Sequence, residues 1–118
     1  MRNPFIPTEE EEQKLLIEYL DLKGIKYTHI PNSTYTKSWQ VKLKNKAMGV
    51  RPGFPDLVMI INDRLVLMEL KRQKGGVLSP HQKEWIEALA KCQGIEVFVC
   101  CGFDEARKKV DLLLDTHL

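Results

Sequence analysis

Two apolar runs, LVMII at 57–61 and LVLM at 65–68, flank Asn62-Asp63, and this pattern constrains the chain more than any other part of it. β-rich runs on either side of two turn-forming residues predict a hairpin, and a two-residue turn fixes its register. Ile61 then faces Arg64, Ile60 faces Leu65, and Asp56 faces Glu69 at the open end. Directly opposed residues have Cβ atoms about 5 Å apart, so two carboxylates there repel unless something neutralises them. A divalent cation does so, and oxygen ligands converging from two strands suit Mg²⁺, which keeps several waters and takes one or two carboxylates. Side chains alternate along a strand, so Lys71 emerges on the face of Glu69. Both faces of these strands read as apolar, the pattern of a central strand covered on both sides, where an end charge is costly unless it is paired or used.

With 118 residues, 43% of them hydrophobic, one small domain is expected, 1–118. No stretch approaches the ~20 apolar residues of a membrane span, and no signal-type segment opens the chain, so a cytosolic protein without membrane contact is expected. Cys92, Cys100 and Cys101 lack metal-ligand spacing and are expected to be reduced core residues. The net charge of +2 conceals an asymmetry: residues 37–74 carry nine Lys or Arg against three acids, Arg64 among the cations. A basic segment around the paired carboxylates points to an anionic, phosphate-bearing partner.

Around the hairpin the expected order is αβ before it and αβα after it, a mixed central sheet flanked by helices. A helix runs from Thr8 to Leu22 and stops at Gly24, with Leu15, Leu16, Tyr19 and Leu20 on one face. Residues 25–30 read as a strand. Residues 31–54, rich in Pro and Gly, read as loop with a short strand at 39–43. Ser79-Pro80 starts a helix carrying Trp85, Ile86, Leu89 and Ala90 inward, residues 95–100 form a strand, and 104–114 a last helix.

Pro55-Asp56, twelve residues, then Glu69-Leu70-Lys71 resembles the PD-(D/E)XK nuclease signature, and Gly53, Gly75-Gly76, Leu78-Ser79 and Gln82 extend the resemblance to the VRR-NUC family of virus-type replication-repair nucleases. That resemblance implies a restriction-endonuclease-like αβββαβα core, a Mg²⁺ or Mn²⁺ requirement, a phage or bacterial cytoplasmic setting and cleavage of DNA phosphodiesters, often at branched structures such as Holliday junctions. It makes Asp56 and Glu69 metal ligands, with Leu70 and Glu9 completing the set, and Lys71 the residue that orients or activates the attacking water. An electrostatic role for Lys71 is favoured, since a lysine beside the cleaved phosphate stabilises its developing charge and acts as a base only if its pKa is lowered. Alternatives are a DNA-binding module without catalysis and a flap-, nick- or restriction-type nuclease.

Gln82 stands three residues after Ser79, where it completes a capping box, but also one turn before the inward Trp85 and Ile86, where a site role is expected. Helical rotation sets Glu12 and then Glu9 over the apolar face, with Glu10 behind it; Glu11 pairs with Thr8. The resemblance favours Glu9 in the site, and the chain departs from it in having Glu12 where an apolar residue is usual. Lys42, Lys44, Lys46, Arg51 and Lys74 are expected to contact DNA phosphates, and Trp39 among them has the option of stacking on an unpaired base. His81 and His29 lack metal-ligand spacing. Symmetric cutting of a four-way junction calls for a homodimer, with Val77, Leu78, Phe103 and Leu112 to Leu114 as interface candidates.

Overall fold

The computed structural model describes residues 6–31 and 36–116. Its elements follow the order α1 (Glu9–Leu22), β1 (Lys26–His29), α2 (Trp39–Ala47), β2 (Leu57–Ile61), β3 (Arg64–Lys71), α3 (Pro80–Ala90), β4 (Ile95–Cys101) and α4 (Phe103–Asp115). One mixed sheet has the order β1-β2-β3-β4, antiparallel at the first two junctions and parallel at the third. The α/β architecture expected from the sequence is present, with one additional helix.

The turn sets the register. Asn62 and Asp63 both have positive φ, 49° and 62°, the conformation that matches a two-residue turn to the twist of its strands. Ile61 pairs with Arg64 and Leu57 with Met68. Because side chains alternate, Leu57, Met59 and Ile61 share a face with Val66, Met68 and Leu70, and this face is covered by Leu16 and Leu20 of α1 and by Ala106, Val110 and Leu113 of α4. The opposite face is covered less completely than expected: Ile60 is 48% and Leu65 37% exposed.

Helix α4 is capped at both ends by distant residues. Its N-cap, Gly102, has no side chain, and the buried carboxylate of Glu12 accepts the Phe103 N–H at 3.3 Å instead. Only glycine suits position 102, where φ is +91° and an added Cβ would lie 2.7 Å from Gln73 Cγ. At the other end Arg64 Nη2 donates to the carbonyls of Leu113 (2.6 Å) and Thr116 (3.0 Å), and Asn62 Nδ2 donates to those of Leu113 and Leu114. An acid at the helix start and a cation at its end both oppose the macrodipole's terminal charges.

Several expectations need correction. Residues 39–47 form a helix rather than a loop with a short strand: Ser38 Oγ accepts the Val41 N–H at 3.2 Å, and Gly49, at φ 87°, lets the Val50 N–H reach the Asn45 carbonyl at 2.8 Å. Arg64 is structural and not a surface cation. Cys100 is buried, but Cys92 and Cys101 are exposed thiols. Ala90 is exposed. Among the interface candidates, Leu113 is a core residue and Phe103 packs against the core, whereas Val77 and Leu112 are exposed.

Removing Arg64 leaves the α4 carbonyls without their charged donor and should cost about 2 kcal/mol. Urea unfolding of Arg64→Ala is expected to show this loss with an unchanged slope.

Candidate active site

The hairpin carries Asp56 and Glu69 to the same end of the sheet. Asp56 directly precedes β2, and β1 extends to it through the Ile30 N–H, which donates to the Asp56 carbonyl at 2.7 Å. Glu69 lies in β3 and is 1% exposed. The two are tied reciprocally by backbone amides: the Asp56 N–H donates to Glu69 Oε2 at 3.1 Å, and the Leu70 N–H donates to Asp56 Oδ2 at 3.3 Å. Lys71 Nζ stands 3.5 Å from Glu69 Oε1.

Gln82 reaches the same oxygen, its Nε2 donating to Glu69 Oε1 at 2.6 Å. Its amide oxygen meanwhile accepts the Ser79 N–H at 2.9 Å, and its own N–H donates to Ser79 Oγ at 3.2 Å, completing the capping box of α3. The two readings of this residue in the sequence are thus compatible: one end of the amide fastens the helix and the other fastens the carboxylate. Gly53 makes this approach possible, since a Cβ there would lie 2.5 Å from the His81 carbonyl carbon. Trp85 clamps the same loop. Its indole N–H donates to the Pro52 carbonyl at 3.0 Å, and its ring meets Phe54 edge-to-face at 5.1 Å.

The four consecutive glutamates have separate fates. Glu10 pairs with Lys14 at 3.3 Å, and Glu11 accepts from Thr8 Oγ1 at 3.0 Å. Glu12 is taken by the α4 cap. Glu9 is the one that senses the site: partial burial raises its pKa, and the charges of Lys71, which lowers it, and Asp56, which raises it, both act on it. Burial likewise raises Asp56, with the Leu70 N–H, Lys71 and His29 opposing the shift. Glu69 is raised from 4.5 to about 7, by burial first and by the Asp56 charge second.

These hard oxygen donors fit a small divalent cation in chemistry and charge. Asp56 and Glu69 would supply two carboxylates, and waters or substrate phosphate oxygens the remainder. No group of three or more His, Cys, Asp or Glu poised for a metal occurs among the described residues, so Glu9 does not close a three-carboxylate cluster with them. Leu70 contributes its amide to the site in this arrangement.

Lys42, Lys44 and Lys46 ride on exposed α2, and Arg51 Nη1 donates to the Lys46 carbonyl at 3.2 Å, bracing the end of that helix. Lys74 lies in the exposed segment between β3 and α3. His29, whose charge acts on Asp56, was not distinguished by the sequence because its place depends on the non-local pairing with Leu57. The Trp85 clamp was also missed; a tryptophan on an inward helix face gives no sign of where its N–H goes.

The elevated pKa of Glu69 has a definite sign in stability. Between 4.5 and about 7 the folded state holds a proton that the unfolded chain releases, so this contribution is fully present below 4.5 and is lost as pH rises through about 7. Asp56 and Glu9 act in the same direction. In EDTA the melting temperature should therefore fall between about pH 5 and pH 8, and Glu69→Gln should flatten that slope.

The VRR-NUC domain family matches residues 8–104. A solved structure titled "VRR_NUC domain protein" is similar at a TM-score of 0.75 and 25% identity, over 99% of this chain and 93% of that one. A second, titled "VRR_NUC domain", is similar at a TM-score of 0.60 and 25% identity, over 95% of this chain and 100% of the other. No protein of curated function matches. The match over residues 8–104 spans the hairpin, the carboxylate pair and α3, and the chain belongs to the VRR-NUC domain family, a family of nuclease domains.

Proposed function

We propose that the protein is a Mg²⁺- or Mn²⁺-dependent endodeoxyribonuclease that hydrolyses phosphodiester bonds in branched DNA and works as a two-fold homodimer. The observation that carries this reading is the pair of half-buried Asp56 and buried Glu69, joined through each other's backbone amides, with Lys71 against Glu69. Such a pair is costly to ionise in isolation, and a cation with a phosphate is what relieves it.

Asp56 and Glu69 would hold the metal, with the Leu70 carbonyl as a further donor and Glu9, outside their cluster, acting on the site through its charge. Bound there, Mg²⁺ or Mn²⁺ supplies neutralisation of phosphate charge and a lowered pKa for an attacking water. Gln82 fixes the rotamer of Glu69, so that its second oxygen faces Asp56. Lys71, held beside Glu69 by its ammonium, stabilises the additional negative charge that develops on the phosphate as the bond breaks. Lys42, Lys44, Lys46, Arg51 and Lys74 contribute phosphate contacts away from the chemistry. Exposed Val77 (77%) and Leu112 (58%) supply apolar surface for a partner copy.

Cleavage of nicked, flapped and four-way DNA in Mg²⁺, Mn²⁺ or EDTA tests the proposal. Activity is expected only with metal, with four-way junctions cut in preference to matched duplex. Lys71→Ala should lower kcat by about 10²- to 10³-fold, and Asp56→Ala should abolish cleavage while keeping the fold. Sedimentation equilibrium is expected to give about twice the chain mass. Wild-type rates in Asp56→Ala would overturn the site, and a monomer that cuts flaps but not four-way junctions would overturn the junction-cutting dimer while leaving the nuclease assignment standing.

A further inference from the structure

Helix α2 buries none of its nine residues and carries three lysines without an acid. A free helix of this length is marginal in water, so its end caps alone hold it weakly. It nevertheless exposes large apolar groups, Trp39 at 71%, Leu43 at 51% and Met48 at 75%. At 100° per residue, Trp39 and Leu43 lie beside Lys42 and Lys46 on the helix surface. Lys42 and Lys46, with Arg51, Pro52 and His81, line a cleft of about 480 Å³ that has no acid in its walls. An adjoining cleft continues along α3 past Trp85 and includes Glu84.

This cleft borders the active site covalently on two sides. His81 is followed by Gln82, which bonds Glu69, and Arg51 is five residues before Asp56. Five residues extend at most about 18 Å, the rise of about five phosphates along one strand of a duplex. A basic groove within that reach suits the strand being cut, and an exposed tryptophan one turn from Lys42 on α2 suits a base without a partner. Two α2 helices meeting across a two-fold axis would instead set like charges together.

We propose that α2 recognises unpaired bases: Lys42, Lys46 and Arg51 hold the phosphates of a single-stranded arm, and Trp39 stacks on one of its bases. The proposal rests on the nuclease reading above and adds to it a preference, among branched DNAs, for those that carry unpaired nucleotides beside the branch. Duplex is held by the same cations without the stack.

The test is tryptophan fluorescence of the full chain in EDTA, where no cleavage occurs, titrated with oligothymidylate, a forked DNA with unpaired arms and a matched duplex. Oligothymidylate and fork are expected to quench the emission, duplex to leave it nearly unchanged, and Trp39→Phe to remove most of the quenching. Trp39→Ala should weaken binding of single-stranded and forked DNA by roughly 5- to 140-fold and binding of duplex by much less. Full quenching in Trp39→Phe, equal loss for duplex and fork, or no loss in Trp39→Ala would each overturn the proposal. So would dissociation of a wild-type dimer by Trp39→Ala, which would assign this helix face to a second copy. Quenching by a chain that cuts no DNA in Mg²⁺ or Mn²⁺ would leave α2 recognition standing and remove the nuclease reading.

Discussion

Two carboxylates held together at the open end of the β2-β3 hairpin organise the rest of the molecule. Their proximity follows from a turn six residues away along each strand: two residues in the left-handed region at Asn62 and Asp63 fix the pairing of every residue up to Leu57 and Met68. A slip of one residue would send Glu69 to the other face of the sheet and part it from Asp56, Lys71 and Gln82. The remaining architecture keeps that end in place. Trp85 and Gly53 hold the entering loop on α3, Gln82 links α3 to Glu69, and the Glu12 cap ties α1, which bears Glu9, to the start of α4.

Burial then decides the chemistry. Asp56, Glu69 and Glu9 all favour the protonated form more than a solvated acid does, and burial is the largest cause for each. One pKa unit corresponds to about 1.4 kcal/mol, so ionising these acids above their raised pKa values costs stability. A cation that replaces the proton converts that cost into affinity. Lys71 lowers the pKa of both site acids without removing the effect of burial.

What could be read in the sequence was what depends on short range. The hairpin register follows from a strand period of two and a turn of two residues, and it brought Asp56, Glu69 and Lys71 to one end before any coordinates. Thr8, Ser79 and Gly24 marked helix ends through local hydrogen bonds. Helix α2 was misread because it lacks the apolar stripe by which helices are found, and its signals, Ser38 and Gly49, sit among prolines and glycines that resemble a loop. The roles of Glu12 and Arg64 were hidden for another reason. Both cap α4, from positions 91 and 49 residues away from their partners, and no local pattern encodes such a contact. Cys92 and Cys101 followed exposure rather than the general tendency of cysteine to be buried.

The proposal at the centre of this account is that Asp56 and Glu69, whose pKa values burial raises, exchange a proton for a divalent cation. Titration calorimetry of Mn²⁺ into the protein near pH 6.5, in two buffers of different ionisation enthalpy, measures that exchange directly. Net proton release on binding is predicted for the wild type, with release lost in Glu69→Gln. Binding with no proton release, or release that persists undiminished in Glu69→Gln, would contradict the account.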